Sequence, residues 1–449
     1  MLIEKVISLK KKMLMRICAV ICLLGMTSCV QLRDGGNSED RLESESERTY
    51  TVSFSENDSF APSEYNAYAS SAQLINEHAA PAEADEISPA LEVVDEKLGD
   101  PYLGVEIKFL AAGDNLIHPN IYMDASFRGT AEKTYDFLPM YENIAEAVAS
   151  ADYAFINQET VMAGAEYENS GYPTFNSPQQ LGRDLVEVGF DIIGMANNHM
   201  LDKGAGGLSS TMDFWDTQPV VTVGSFRDEE DYAKLRILEK DGVKIALLSY
   251  TYGTNGIVKP ASSPLVIPYI DDGLIVSDIG RAEEEADFTI VSIHWGDENT
   301  QIPNNEQKRL AQLIADSGAD LILGHHSHTI QPIEYITSSD GRKVICTYSL
   351  GNLLSGMARP VNQVGGLFTF TVRGDGMGGL TVDDALFTPT VFYYGMDWYD
   401  TKLYYLEDYT AEIASTHGVQ ISGYTLTPEQ ARSFVTGTID AEFLPDWMK

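Results

Sequence analysis

The chain of 449 residues has room for one large or two medium domains with a substantial core. Its apolar content of 44% and aromatic content of 10% are ordinary for a globular protein, but its formal net charge of −37 is not. So acidic a chain offers no basic face for phosphate backbones, which excludes nucleic acid as a partner, and it equally excludes a broad polybasic attachment to anionic lipid.

In chain order, the first signal is a leader. Lys5, Lys10, Lys11, Lys12 and Arg16 form a basic n-region, and Ile17 to Met26 is an apolar h-region too short to span a bilayer. Met26-Thr-Ser-Cys29 then resembles the lipobox of bacterial lipoproteins, with Met where Leu is usual. That resemblance implies a signal peptide over 1–28, lipidation of Cys29, and an extracytoplasmic protein anchored by lipid to the bacterial cell membrane. Residues 29–100 are rich in Ser, Glu, Asp and Ala without a sustained period. Such a segment buries too little apolar surface to offset its ordering entropy, and it reads as an acidic, disordered, self-repelling tether with at most a short helix near Ser70 to Asn76. Three of the four cysteines belong to the leader; Cys346 lies in the apolar run Val344 to Tyr348 and is expected to be a small buried hydrophobe.

The folded part begins at the strand Val105 to Ala112, which runs into Gly113-Asp114. A helix is predicted near Met140 to Ser150, a strand at Tyr153 to Ile156 ending in Asn157-Gln-Glu159, and a helix over roughly Gln179 to Val188. Asp191 to Ala196 reads as a strand delivering Asn197-Asn198-His199, and Gly204 to Asp216 as a helix. Further strands are predicted at Val243 to Tyr250, Phe288 to Ile293 and Leu321 to Leu323, with a helix over Asn304 to Ser317 capped by Asn304 and Gly318. Alternating strands and helices imply an α/β architecture. After residue 328 the strands (333–337, 343–348, 367–372, 386–393) look antiparallel, so the class acquires α+β character, with a mixed sheet or a second sheet packed on the first. The domain is expected over 101–394, with 395–449 as a C-terminal extension packed on it; that extension carries no readable motif.

The histidines carry the chemistry. There are eight (His78, His118, His199, His294, His325, His326, His328 and His417), and four fall between Thr289 and His328. Six elements stand at strand ends: Gly113-Asp114, Asn157-x-Glu159, Asn197-Asn198-His199-x-x-Asp202, His294-Trp-Gly, Gly324-His-His326-Ser-His328 and Ser349-Leu-Gly351-Asn352. Strand ends in open α/β folds converge on one edge, where sites form. Each element alone has a bland explanation. Gly-Asp is a common turn, Asn198 and Asp202 are natural caps near Gly204, a lone His294 suits a hydrogen-bonded core position, and Trp295 suits packing. Three histidines within four residues do not serve packing. Carboxylate, amide oxygen and imidazole together suit a divalent Mn, Fe or Zn ion better than Ca or Mg, and the absence of thiolate argues against a structural zinc site.

These motifs, together with Thr251-Tyr-Gly-Thr-Asn-Gly256, resemble the CapA/PgsA family of poly-γ-glutamate capsule synthesis proteins, in order and over about residues 105–370. The resemblance implies a calcineurin-like metallophosphatase fold, a four-layer sandwich of mixed sheets flanked by helices. It implies metal ligands Asp114, Glu159 (bridging), Asn198, His294, His326 and His328. His199 becomes the general acid, with Asn157 orienting Glu159 or the substrate and Asp202 in the same catalytic group. It also implies a role in synthesis, export or attachment of an anionic polymer such as poly-γ-glutamate, with a membrane synthase complex as partner. One departure stands out: phosphoesterases of this fold open with Asp-x-His, whereas Asp114 is followed by Asn115-Leu116, with His118 the nearest substitute. One or two ions are therefore expected. A metal-dependent hydrolase or transferase, a non-catalytic scaffold and an extracellular phosphodiesterase all remain consistent with the sequence.

Overall fold

The computed structural model describes residues 100–449, so the expected leader with its lipidated Cys29, the tether to residue 99 and the helix near Ser70 lie outside the described residues. Strand β1 (Glu106–Leu116) alternates in burial only at its start and is then continuously buried, the mark of a strand covered on both faces. Strands β2 (Tyr153–Asn157), β3 (Ile192–Gly194) and β4 (Val221–Val223) follow it in parallel register. The chain then turns at Asp241 and Gly242, both at positive φ, which joins β5 (Arg236–Lys240) and β6 (Val243–Thr251) as a hairpin. Strands β7 (Phe288–His294) and β8 (Leu321–His325) extend this second sheet in parallel. Next come β9 (Ile333–Thr337) and β10 (Lys343–Thr347), with β10 parallel to β8 and antiparallel to β9. The chain crosses back through β11 (Asn352–Ser355), parallel to the end of β1, and finishes the first sheet with antiparallel β12 (Val364–Gly374), β13 (Leu380–Tyr393) and β14 (Lys402–Tyr405).

Both sheets are mixed. The first runs β14-β13-β12-β1-β2-β3-β4 with β11 on β1, and the second β5-β6-β7-β8-β10-β9. Between them, Phe109, Phe155 and Phe370 of the first meet Leu247, Ile290 and Leu323 of the second. On the outer face of the second sheet, helices Asp272–Glu285 and Asn305–Ser317 bury Ile275, Ile279, Leu310 and Ile314 against Val291, Ile293 and Ile322. Helices Gln180–Val188 and Gly204–Trp215 pack their apolar residues with the first sheet. The expected α/β class with two mixed sheets and flanking helices is what the chain forms.

Some elements differ from their sequence signals. The helix predicted at 140–150 is two short ones, Leu138–Tyr141 and Ala145–Ser150. Helix Asp272–Glu285 escaped the pattern because Gly273, Gly280 and its run of acids obscure a buried Ile275/Ile279/Ala282 stripe. Strands β4, β11 and β14 are three or four residues long, too short to show a period. The expected cap held: Asn304 and Gln307 form a reciprocal capping box, and Gly318 closes the helix at φ 128°.

The C-terminal residues are integral to the core. β14 is an edge strand, and Tyr409, Val419, Leu426 and Val435 lie in the inner cluster. Asp124, in helix Pro119–Arg128, fastens this segment. Its carboxylate accepts the Thr401 and Asp400 backbone N–H groups at 2.8 and 3.3 Å and pairs with Arg128 at 2.7 Å. Asp124→Ala leaves the buried Thr401 donor unpaired and Arg128 without its partner, with an expected loss of about 2–4 kcal/mol. Denaturant unfolding of the full chain should show a lower midpoint at unchanged m-value.

Candidate metal centre

The parallel strands of both sheets end on one edge. Register places Asp114 opposite Asn157 on one side and Asn352 on the other, and sets His294 between Thr251 and His325. Two glycines allow the close approaches that bring these ends together. A Cβ on Gly113 would stand 2.0 Å from the Gly351 carbonyl oxygen, and one on Gly324 2.2 Å from that of Tyr348. His326 and His328 both have left-handed backbone, at φ 94° and 54°, a conformation non-glycine residues adopt at a cost and hold at functional sites.

Asp114 is fully buried and held on several sides. Asn157 Nδ2 donates to its Oδ1 at 2.7 Å, the His326 backbone N–H donates to its Oδ2 at 3.1 Å, and His328 Nδ1 lies 3.4 Å from Oδ2. Glu159, also fully buried, lies 3.6 Å from His294 Nε2 and 3.7 Å from His328 Nε2 through Oε1. His294 Nε2 is 3.0 Å from Asn198 Oδ1 and 3.1 Å from His326 Nδ1.

Two ligand sets share Glu159: Glu159, His294 and His326 form one, and Asp114, Glu159 and His328 the other. Asn198 Oδ1 adjoins the first. A divalent ion fits here on the chemistry of the donors. Both Glu159 oxygens are buried without a hydrogen-bond partner, and Asn198 Oδ1 and His326 Nδ1 converge on His294 Nε2 at 3.0 and 3.1 Å. All six ligands expected from the sequence therefore meet at one place. A third set, Glu298 with His326 and His328, adds an exposed carboxylate at the mouth.

Without an ion, the charges arrange themselves around Asp114. Burial pushes its carboxyl up, but hydrogen bonding and attraction from His328, with help from His325 and Asn157, outweigh this and hold it below the usual range. Burial pushes His328 down, yet Glu159 and Asp114 carry it to about 10. Burial drives Glu159 well above the ordinary carboxylate range. His294 and His326 are pushed down, first by burial and then by neighbouring imidazoles, His326 to about 3. Neutral imidazoles are what a metal requires.

The supporting residues require corrections to the sequence reading. Asn157 orients Asp114 rather than Glu159, because strand register sets it directly opposite Asp114 while Glu159 lies two residues beyond the pairing. Asp202 does not cap the helix at Gly204. Its Oδ2 accepts the Phe175 N–H at 2.6 Å and lies 2.8 Å from His199 Nδ1. His118 takes no part in any of the ligand sets: its Nδ1 accepts the Gly356 N–H at 3.0 Å. Leu116 stands buried where the expected Asp-x-His of phosphoesterases would place its histidine. His325 stacks on Phe155 and also lies outside the ligand sets.

Sequence reading assigned no role to Asn352, whose Oδ1 lies 3.0 Å from His328 Nδ1, although its strand-end motif was visible. Nor did it single out Asn255, which lies between Asn198 and His199, Tyr252, whose ring is 4.6 Å from that of His326, or Glu298. The signal for these was their motif, Thr251 to Gly256, and proximity to His294-Trp-Gly.

Residues 108–357 match the model of the family described as bacterial capsule synthesis protein PGA_cap. The chain is 31% identical over 200 residues to the PGA biosynthesis protein CapA of Bacillus subtilis, covering 44% of this chain and 51% of that protein. It is 29% identical over 212 residues to the capsule biosynthesis protein CapA of Bacillus anthracis, covering 46% and 50%. It thus spans about half the length of these curated relatives. Among solved structures it is similar to the calcineurin-like phosphoesterase YfkN of Bacillus subtilis (15% identity, TM-score 0.38, 74% of this chain and 96% of that one). It is likewise similar to the NAD nucleotidase of Haemophilus influenzae (13%, TM-score 0.39, 76% and 57%).

Because His328 and Glu159 retain protons to higher pH than free side chains, metal must displace a proton to bind at neutral pH. Calorimetric titration with Zn²⁺ in buffers of different ionisation enthalpy is expected to show release of at least one proton per ion. Affinity should rise with pH towards about 10, the value set for His328. Proton-neutral binding would contradict this ligand set.

Proposed function

The chain belongs to the bacterial capsule synthesis protein family, PGA_cap, and from that membership we propose that it acts in synthesis, export or attachment of a capsule polymer. Its step is a metal-dependent hydrolytic or transfer reaction on an anionic polymer such as poly-γ-glutamate. The observation that carries this reading is Glu159, a buried carboxylate with neither oxygen hydrogen-bonded and with two ligand sets built around it. A carboxylate bears that desolvation only against compensating positive charge.

Asp114, Glu159 and His328 would hold one ion, and Glu159, Asn198, His294 and His326 would hold another. A bound Mn, Fe or Zn ion supplies Lewis acidity at an acyl or phosphoryl oxygen and lowers the pKa of water. Asn157 keeps Asp114 turned toward the site. His199 protonates the leaving atom: Asp202 engages its Nδ1, which leaves Nε2 to face the substrate. Burial of the ligands at 0–3% exposure keeps bulk water from the ions' inner side. The protein works outside the cytoplasm, tethered through lipidated Cys29 and operating beside a membrane synthase. Buried Leu116, where phosphoesterases of this fold carry a histidine, favours a second reading in which the centre serves a non-catalytic scaffold.

The test is elemental analysis of the purified chain, with turnover assayed on a model phosphodiester and on poly-γ-glutamate. Near two ions per chain, lost in His326→Ala/His328→Ala, are expected. His199→Ala should keep its metal while losing about 10²–10⁴ in kcat. Metal without turnover on either substrate favours the scaffold, and no metal in the wild type overturns the reading of the centre.

A further inference from the structure

A cleft of about 930 Å³ adjoins the metal centre and shares two of its walls. One wall is the loop after β7. Glu298 belongs to a ligand set with His326 and His328, the next residue, Asn299, lines the cleft, and its N–H donates to the Ser327 carbonyl at 2.7 Å. The other is the segment from Arg359 to Val361, continued by Asn362, whose Nδ2 donates to the His328 carbonyl at 2.9 Å. The outer side comes from the C-terminal segment, through Tyr424, Phe434 and Thr438. Gln301 closes this frame by donating to Thr438 Oγ1 at 2.7 Å and the Phe434 carbonyl at 3.3 Å. Arg359 and the C-terminal wall lie beyond residues 108–357, the part that matches the family model.

The lining has a chemistry unlike the rest of the surface. In a chain of net charge −37, the charged residues on this lining are Lys308, Arg359 and Glu334. Most arginines and many lysines elsewhere are paired with acids, as Arg309 is with Asp272 and Glu306. Lys308 and Arg359 have no ion pair among the described residues. Glu334 lies exposed on the same lining. Asn299 sits at φ 61° with a buried side-chain oxygen that has no hydrogen-bond partner, and Ile302 is left 73% exposed beside it.

We propose that this cleft binds an extended peptide-like chain bearing carboxylates and leads it to the metal centre, a proposal that rests on the anionic-polymer reading above. Lys308 and Arg359 receive carboxylates against a repulsive overall field. Ile302, Val361 and Phe434 cover the methylenes between. The volume is ample for several such units, since pockets of roughly 300–1,000 Å³ hold drug-sized ligands.

The probe is a fluorescent γ-linked hexaglutamate, titrated into the full metal-loaded chain and into Lys308→Gln/Arg359→Gln. Both residues are exposed, so the variant keeps its fold, and elemental analysis should find its metal content unchanged. The expected result is at least tenfold weaker binding with a shallower salt dependence. The control Lys244→Gln/Lys343→Gln, an exposed pair off the cleft, should bind as the wild type does. Unchanged binding in Lys308→Gln/Arg359→Gln with metal retained overturns the cleft while leaving the metal centre standing, as does an equal loss in the control. Tighter binding of an inorganic polyphosphate of the same charge also overturns it. Loss on the cleft variant in a chain that holds no metal upholds the cleft and overturns the reading of the centre instead.

Discussion

Two carboxylates buried within one site, Asp114 and Glu159, are the constraint to which the rest of the structure responds. Either alone in an apolar interior would be neutralised by protonation. Asp114 keeps its charge because Asn157, at the end of β2, and the His326 backbone and His328, just past the end of β8, surround it. Glu159 has no such partners, and its environment is completed only by cationic charge. The close backbone crossings at Gly113 and Gly324 and the left-handed His326 and His328 follow from the need to bring these groups within a few ångströms of one another. Strain at the two histidines is tolerated because neighbouring strands fix them, as is typical where geometry serves a site.

Much of this was legible in the sequence, for a physical reason. Parallel strands in two-layered α/β folds must be continuously apolar and end abruptly, so residues such as Asp114, His294 and His325–His328 stand out at the ends of β-branched runs. The six ligand positions could be named because their strand-end motifs carry the resemblance to the capsule synthesis family, although Asn198 and His328 lie four and three residues beyond β3 and β8. What could not be read was which polar group serves which. Asn157 turned out to serve Asp114, and Asp202 to serve His199, because pairing register and loop path decide this and neither leaves a periodic trace. The same holds for Asn352, which reaches His328 from a strand four residues long.

The C-terminal residues show a different limit. They carried no motif, yet β14 extends the first sheet, Tyr409 and Val435 fill the inner cluster, and Phe434 and Thr438 form one side of the cleft beside the centre. Shape-forming residues of this sort are recognisable only once their neighbours are in place. Aromatic and small residues on short helices give weak periodicity, and only the start of helix Pro428–Thr436 is marked locally, by the capping box at Thr427 and Gln430 and by Pro428 at its first position.

The division of the centre between two sheets has a consequence for how it comes into being. Asp114, Glu159 and Asn198 arrive with the first sheet, and His294, His326 and His328 with the second. Contacts of such long sequence separation form late, after much loop-closure entropy has been spent. No chain that ends before His326 holds either complete set of donors, and β11 and β12, which flank Asp114's strand, come later still. The choice among competing metals is therefore made by the ion pool of the compartment in which the last strands dock, and the same polypeptide matured in two compartments would carry the chemical history of each.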